Sequence, residues 1–453
     1  MDTQKRSESE RIQLLQDGKF YYGYVIVVVG FALMLLAYVV LASATSVFVR
    51  PVTEALGINR STFLVYKSIH SIASILAAPF LGRMAARGQV KKVLLLSSAA
   101  AAIGFIGFAT AHNIWQIYVF SVLTGIGFIG TCTMPISVLV TSWFGGRIRG
   151  TMMGLTFIGS GLGGMAMLPF LTYLISNYGW RAAYFGSAAI FVVVLIPAVA
   201  LFIVKSPEEK GFYRMGQTSE EAAVTKEVLG MTYREAKKTP MYWLALLSVI
   251  CTTVASGAIL NNSVPYYRDM GIEPMLAASL AGLQLGLLTL GKITVGPACD
   301  RFGIKFGTTA SMYLFGLTFA FLYMMQYNAA FVYAVIICYG VGGGTITLSP
   351  SLMINGIFGE KDYGRLVADM TMAVSIGALI AAPTSALVFD MTGTYGGYWM
   401  FSTIVVMVGA TCRWYAFILH EKRQSACDSG STVRKEPDLN GEQRKRIIQE
   451  EKQ

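Results

Sequence analysis

Two lysines and a histidine stand where charge is costly. Leu285–Val295 is apolar or small throughout except for Lys292, which lies one helical turn before Gly296, the first residue of a G-x-x-x-D-R-x-G string (Gly296, Asp300, Arg301, Gly303). An ammonium in mid-bilayer costs roughly 3 kcal/mol even on the lenient insertion scale. Two arrangements relieve that cost. The offset to Gly296 is ~6 Å along a helix, so a lysine stem can reach the headgroups. Alternatively the nitrogen faces an aqueous cavity and takes an anion, the usual employment of an intramembrane charge. Spacing alone leaves both open.

Lys67 and His70, in STFLVYKSIHSIASILAAPFLG, are three apart and share a helix face with Ser71 and Ser74. They are expected to line a polar pathway; the alternative has Lys67 reaching outward while His70 bonds a backbone carbonyl. Asn261 and Asn262 either line the same cavity or bond across helices. Asp369, one turn into an apolar run, is expected to pair with a loop cation such as Arg365. The apolar runs hold no paired carboxylates, nucleophile elbow or metal cluster, so an enzyme is not expected. The six cysteines are scattered without metal-ligand spacing. No metal or cofactor is expected.

The elements that must position these residues are membrane helices. The chain has 453 residues, 54% hydrophobic and only 13% charged, against about 25% charged in soluble domains. Its apolar residues gather into runs long enough to cross a ~30 Å hydrocarbon core. Six lie near Tyr22–Ser46, Ser61–Leu81, Lys92–Thr110, Ile114–Val140, Met152–Ser176 and Ala182–Val204. Six more lie near Tyr242–Val264, Met275–Val295, Thr308–Met325, Ala329–Met353, Leu366–Val388 and Tyr398–Leu419. The pattern predicts an all-α integral membrane protein, multi-pass, with twelve helices in two pseudo-symmetric six-helix bundles.

Five segments follow: a leader (1–20), a first bundle (21–204), a polar central loop (205–240), a second bundle (241–419) and a charged, disordered tail (420–453). Within the loop, Ser219–Lys238 has the pattern of a short amphipathic helix. Cations collect on one set of connections, among them Arg83, Arg87, Lys91, Lys92, Arg301, Lys305 and Arg365, whereas the other set holds only Arg50, Arg60, Arg181 and Arg268. The positive-inside rule then sets both termini in the cytoplasm, most simply at the cell membrane. The net charge of +11 follows from this topology, and no nucleic-acid module is present.

The two halves repeat a signature. Gly82–Lys92 (GRMAARGQVKK) follows the second run and Gly296–Gly307 (GPACDRFGIKFG) the eighth. Such internal repetition marks secondary transporters, with the substrate between the halves. On these strings the chain resembles the major facilitator superfamily. The resemblance implies that Asp300 and Arg301, with Arg83, Arg87 and Asp369, help close the inward gate. The first copy has Ala86 in place of the aspartate and a displaced second glycine.

A narrower resemblance, to the monocarboxylate transporter and oxalate:formate antiporter group, rests on Pro135, Trp143-Phe144, Arg149, the glycines Gly154, Gly159, Gly161, Gly163 and Gly164, Gly179-Trp180-Arg181, and the strings FGEKDYGR and FDMTGTYGGYW. It implies transport of a small organic anion, most simply a monocarboxylate of the lactate, pyruvate or formate type, by alternating access, with a proton or counter-anion as a further partner besides the lipid bilayer. In that group a helix-eight cation, usually arginine, pairs with the substrate carboxylate; Lys292 holds the position. Ser43 stands about where a helix-one lysine is typical, and Leu288 where an aspartate linked to proton coupling is typical. The alternatives are an oxalate:formate-type dicarboxylate exchanger and a non-transporting membrane sensor.

Overall fold

A computed structural model describes residues 21–144, 146–204, 207–210, 215, 231–359 and 362–431. The apolar runs are helices, in the order expected. α1 is built from Gly23–Leu33, Met34–Ser43 and Thr45–Leu56. α2 spans Arg60–Ala86, α3 Val90–Ala109, and α4 Ile114–Thr131 with Thr133–Trp143. The next helix, Gly146–Ala189, folds back at Gly179, whose φ of 82° lies in the left-handed region that favours glycine. We number its first part (146–178) α5. α6 is 180–189 continued by Ile190–Leu195 and Ile196–Phe202.

The second half holds α7 (Pro240–Asp269), α8 (Pro274–Phe302), α9 (Ile304–Met324), α10 (Phe331–Gly342 with Gly344–Phe358), α11 (Tyr363–Thr392) and α12 (Gly396–Ser431). α12 continues past the expected end at Leu419. The rest of the expected tail, and most of the expected amphipathic stretch, lie outside the described residues. What is seen of that stretch is a short helix, Tyr233–Lys237, opened by a capping box between Thr232 and Glu235.

Local chemistry fixes the ends. Pro240 and Pro274 sit in first turns, where a missing N–H is harmless. The Asn113 side chain accepts the Gln116 N–H at 3.1 Å. Gly88 and Gly303, which close the two signature strings, both have positive φ, 76° and 85°. The tight turn from second to third helix of each half thus uses glycine in the same way, although the strings are out of register.

Large apolar side chains such as Val28, Leu76, Phe80, Val193 and Leu201 point outward and stay exposed, as a lipid-facing surface requires. Inside, α2, α3 and α4 pack together, as do α7, α9, α11 and α12. Three pairings join the halves: α5 with α8, α2 with α11, and the last part of α1 with α7. One stretch of α1 was not foreseen. Met34–Ser43 is π-helical, although neither Gly nor Pro interrupts it.

Candidate substrate site and gates

Small residues bring α5 against α8. A methyl group added to Gly161 would strike the Thr289 hydroxyl, one added to Gly164 the Leu285 side chain, and one on Gly282 the backbone of Gly164. Gly159 and Gly163 face α1 at equally close range. Such contacts let membrane helices approach closely. Gly154 departs from the expected pattern, since nothing lies within 4 Å of where its Cβ would be.

This approach sets the position of Lys292. Its stem crosses from α8 toward α5, and Nζ donates to Ser160 Oγ at 3.5 Å, the limit of a hydrogen bond. The nitrogen therefore sits at the seam between the bundles, not along its own helix toward the headgroups. Among the described residues no carboxylate lies within ion-pair distance of it. The Thr289 hydroxyl, one turn away, is buried without a hydrogen-bond partner.

Lys67 and His70 do share a face, but it packs within the first bundle. Lys67 Nζ donates to the Leu41 carbonyl at 3.0 Å, near the end of the π-helical stretch of α1. His70 Nδ1 is 3.1 Å from Thr124 Oγ1 on α4. Ser74 closes the same contact by donating to the carbonyls of His70 and Gly125. His70 borders a cavity of about 10 Å³, shared with Tyr66, Thr45 and Tyr184, which is room for one water molecule. The helix face that carries Lys67 and His70 packs against α1 and α4.

The asparagines separate. Asn262 donates to Ser385 Oγ at 2.7 Å and accepts from the Tyr395 hydroxyl at 3.1 Å. It bonds across α7, α11 and α12. Asn261 donates to the Gly257 carbonyl at 2.6 Å, while its Oδ1 is buried without a partner.

The charged residues expected at the gate lie at the end of the bundles that carries the basic connections. Asp369 does not meet Arg365. It lies 3.5 Å from Lys237 Nζ and accepts the Tyr242 hydroxyl, because the short helix before α7 delivers that lysine to α11. Arg83 and Arg87 are exposed, and Arg301 lies 5.5 Å from the Phe302 ring. Among the described residues none of the three forms an ion pair. The Asp300 side chain lies outside the described residues. On the basic side of Lys292 no hydrogen bond between described residues joins the halves, and no described atom approaches the α5 surface at Gly150 and Gly154.

The opposite end is latched. Arg60, at the start of α2, holds Asp269 of α7 with two bonds of 2.6 and 2.9 Å. It also donates to the Tyr395 hydroxyl at 3.2 Å and stacks 3.9 Å over Phe389. Beside it, the Ser61 N–H donates to Asp390 of α11 at 2.8 Å. Ser68 continues the seam by donating to the Leu379 carbonyl at 2.8 Å. Among the described residues, the halves are therefore latched together at the end opposite the basic connections.

Sequence reading missed Arg413. It is 1% exposed in mid-α12, donates to Ser248 at 3.1 Å, the Thr308 carbonyl at 3.2 Å and Thr345 at 2.7 Å, and so ties α7, α9, α10 and α12 into one body. The signal was available, because a cation inside an apolar run is the same anomaly as Lys292.

Comparison with known proteins agrees with this architecture. The rat (Rattus norvegicus) protein named Monocarboxylate transporter 13 is 22% identical over 339 residues, 71% of this chain and 72% of its own length. The Oxalate:formate antiporter of Oxalobacter formigenes is 23% identical over 348 residues, 74% of this chain and 79% of its own. Among solved structures, the nucleoside transporter NupG superposes with a TM-score of 0.67 at 14% identity, covering 88% of this chain and 99% of that one; at that identity the likeness is one of fold. The family model for the Major Facilitator Superfamily matches residues 26–293 and 257–440. With both halves matched by that model, this chain belongs to the Major Facilitator Superfamily.

Proposed function

We propose that the protein carries small organic monocarboxylates across a cell membrane by alternating access, with its basic connections and both termini in the cytoplasm. The observation that supports this best is Lys292, an ammonium at the seam between the halves with a single weak hydroxyl partner among the described residues. Interior charges are ordinarily paired, and a transported carboxylate would supply the missing charge. Lysine gives a compact point charge and not arginine's planar fork, which suits a small acid held in more than one orientation. The unpartnered Thr289 hydroxyl and Asn261 Oδ1 are further polar groups for the substrate's remaining atoms.

In this reading the empty site disfavours occlusion because it would seal an unpaired cation in low dielectric. A bound anion removes that penalty and lets the halves rock, since a ligand shifts two states only by binding them differently. Asp300, Arg301, Arg83 and Arg87 would meet when the inward side closes. Uptake of labelled lactate, pyruvate and formate into proteoliposomes tests the assignment. Lys292→Ala should abolish uptake at unchanged thermal stability, and Lys292→Arg should retain part of it. Full uptake by Lys292→Ala would refute the assignment.

A second reading, exchange of dicarboxylates such as oxalate for formate, is favoured by Lys67. That buried ammonium has three donors and one carbonyl partner. Competition by dianions that disappears in Lys67→Gln would support it.

A further inference from the structure

A groove of about 590 Å³ runs between α7 and α12 at their basic ends, lined by Pro240, Trp243, Leu244, Leu247, Tyr415 and Leu419. Trp243, Leu247 and Tyr415 are exposed, so the groove opens sideways into the hydrocarbon and not into the transport seam. Its mouth is basic. Lys237 and Lys238 precede Pro240 by three and two residues, and Lys422 and Arg423 follow Leu419 by three and four residues, on the face of α12 that carries Tyr415 and Leu419. Lys238, Lys422 and Arg423 are exposed and form no ion pair among the described residues. Arg423 touches the Met231 sulfur, at 3.4 Å.

The acidic groups nearby are already engaged. Glu235 belongs to the capping box, Glu421 pairs with Lys305 at 2.8 Å, and Asp369 takes Lys237 and Tyr242. The Trp243 indole donates to the Lys237 carbonyl at 3.2 Å, which pins an amphipathic ring at the level where headgroup meets acyl chain.

We propose that this groove binds an anionic phospholipid from the leaflet on the basic side, with an acyl chain between α7 and α12 and the phosphate among Lys238, Lys422 and Arg423. A neutral lipid would fill the apolar trough but leave three cations without a counter-charge. A free anion would meet the cations but leave the trough empty. The combination selects a lipid that supplies both parts.

The test is native mass spectrometry of the purified full chain, titrated with phosphatidylglycerol or phosphatidylcholine of identical acyl chains. Phosphatidylglycerol should be retained about tenfold more strongly. The triple variant Lys238→Gln, Lys422→Gln, Arg423→Gln should lose that preference while keeping phosphatidylcholine at the wild-type level. Leu247→Trp, which fills the trough, should weaken both lipids, and glycerophosphoglycerol without acyl chains should not compete. Equal retention of the two lipids, an unchanged preference in the triple variant, or competition by the chainless headgroup would overturn the proposal. Thermal unfolding of each variant in detergent confirms that the fold is intact. The result is independent of what the central seam carries.

Discussion

Removing Arg60 should loosen the closed end of the molecule. The Arg60 and Asp269 side chains are 12% and 20% exposed, so their pair lies between the surface case, about 0–1 kcal/mol, and hydrogen bonds to buried charged groups, about 1.5–3 kcal/mol. Two short bonds in a fork favour the upper part of that range. Stacking on Phe389 adds about 0.5–1 kcal/mol. In the alternative state, with this end open, both charges would be hydrated and the guanidinium would leave the Phe389 ring. Arg60→Ala should therefore shift the equilibrium by about 2–3 kcal/mol, roughly 30- to 160-fold. A minor open state populated at about 1% would become a substantial fraction. Asp269→Asn, which leaves the stack on Phe389, should shift it less. Spin labels at the ends of α2 and α7, read by pulsed electron resonance, report the two distances directly. Arg50→Ala is the control, because the Arg50–Glu54 pair is an i,i+4 contact inside α1 and should leave the distribution alone. If Arg60→Ala gives the wild-type distribution, or if Arg50→Ala matches it, the latch does not hold this end.

Other outcomes follow from single contacts. Arg413→Met should lower stability by about 2–4 kcal/mol, since it strands the partners of a buried cation; thermal unfolding in detergent measures it, and activity should fall only as fast as folded protein does. Gly163→Val should impair folding or insertion, because its side chain would meet the backbone of Leu35, whereas Gly154→Val, facing open space, should be tolerated; expression level and monodispersity compare them. Asn262→Leu should lower the stability of the second bundle by about 1–2 kcal/mol through loss of the Ser385 and Tyr395 bonds, seen by thermal unfolding in detergent. Lys67→Gln should leave monocarboxylate uptake measurable while removing inhibition by dianions, if the second substrate reading holds.

Hydropathy alone exposed the helices, because a run of apolar residues has few fates other than a membrane span. It exposed Lys292 for the same reason. What stayed hidden depends on distance in sequence. Arg60 and Asp269 are 209 positions apart, each in a connecting segment where a charge is unremarkable. Only the packing of α2 on α11, and of α1 on α7, brings them together. Lys67 and His70 show the converse. Helical spacing correctly joined them on one face, but spacing does not say whether that face meets the other bundle or a neighbour in its own. Asn262 was ambiguous between lining and bracing until Ser385 and Tyr395 were seen beside it. The π-helical turns of α1 left no mark in composition.

The bond from the Ser61 N–H to Asp390 has an effect beyond holding two surfaces together. The residue that should finish this end of α2, Asn59, does not use its side chain to do so; the acceptor comes instead from the other bundle. When the bundles part there, α2 loses its terminal acceptor, and its first turn should unwind toward solvent. The backbone amides from Ser61 to Phe63 would then exchange hydrogen at a rate set by how often the transporter swings, so that three peptide groups count the cycles of the whole molecule.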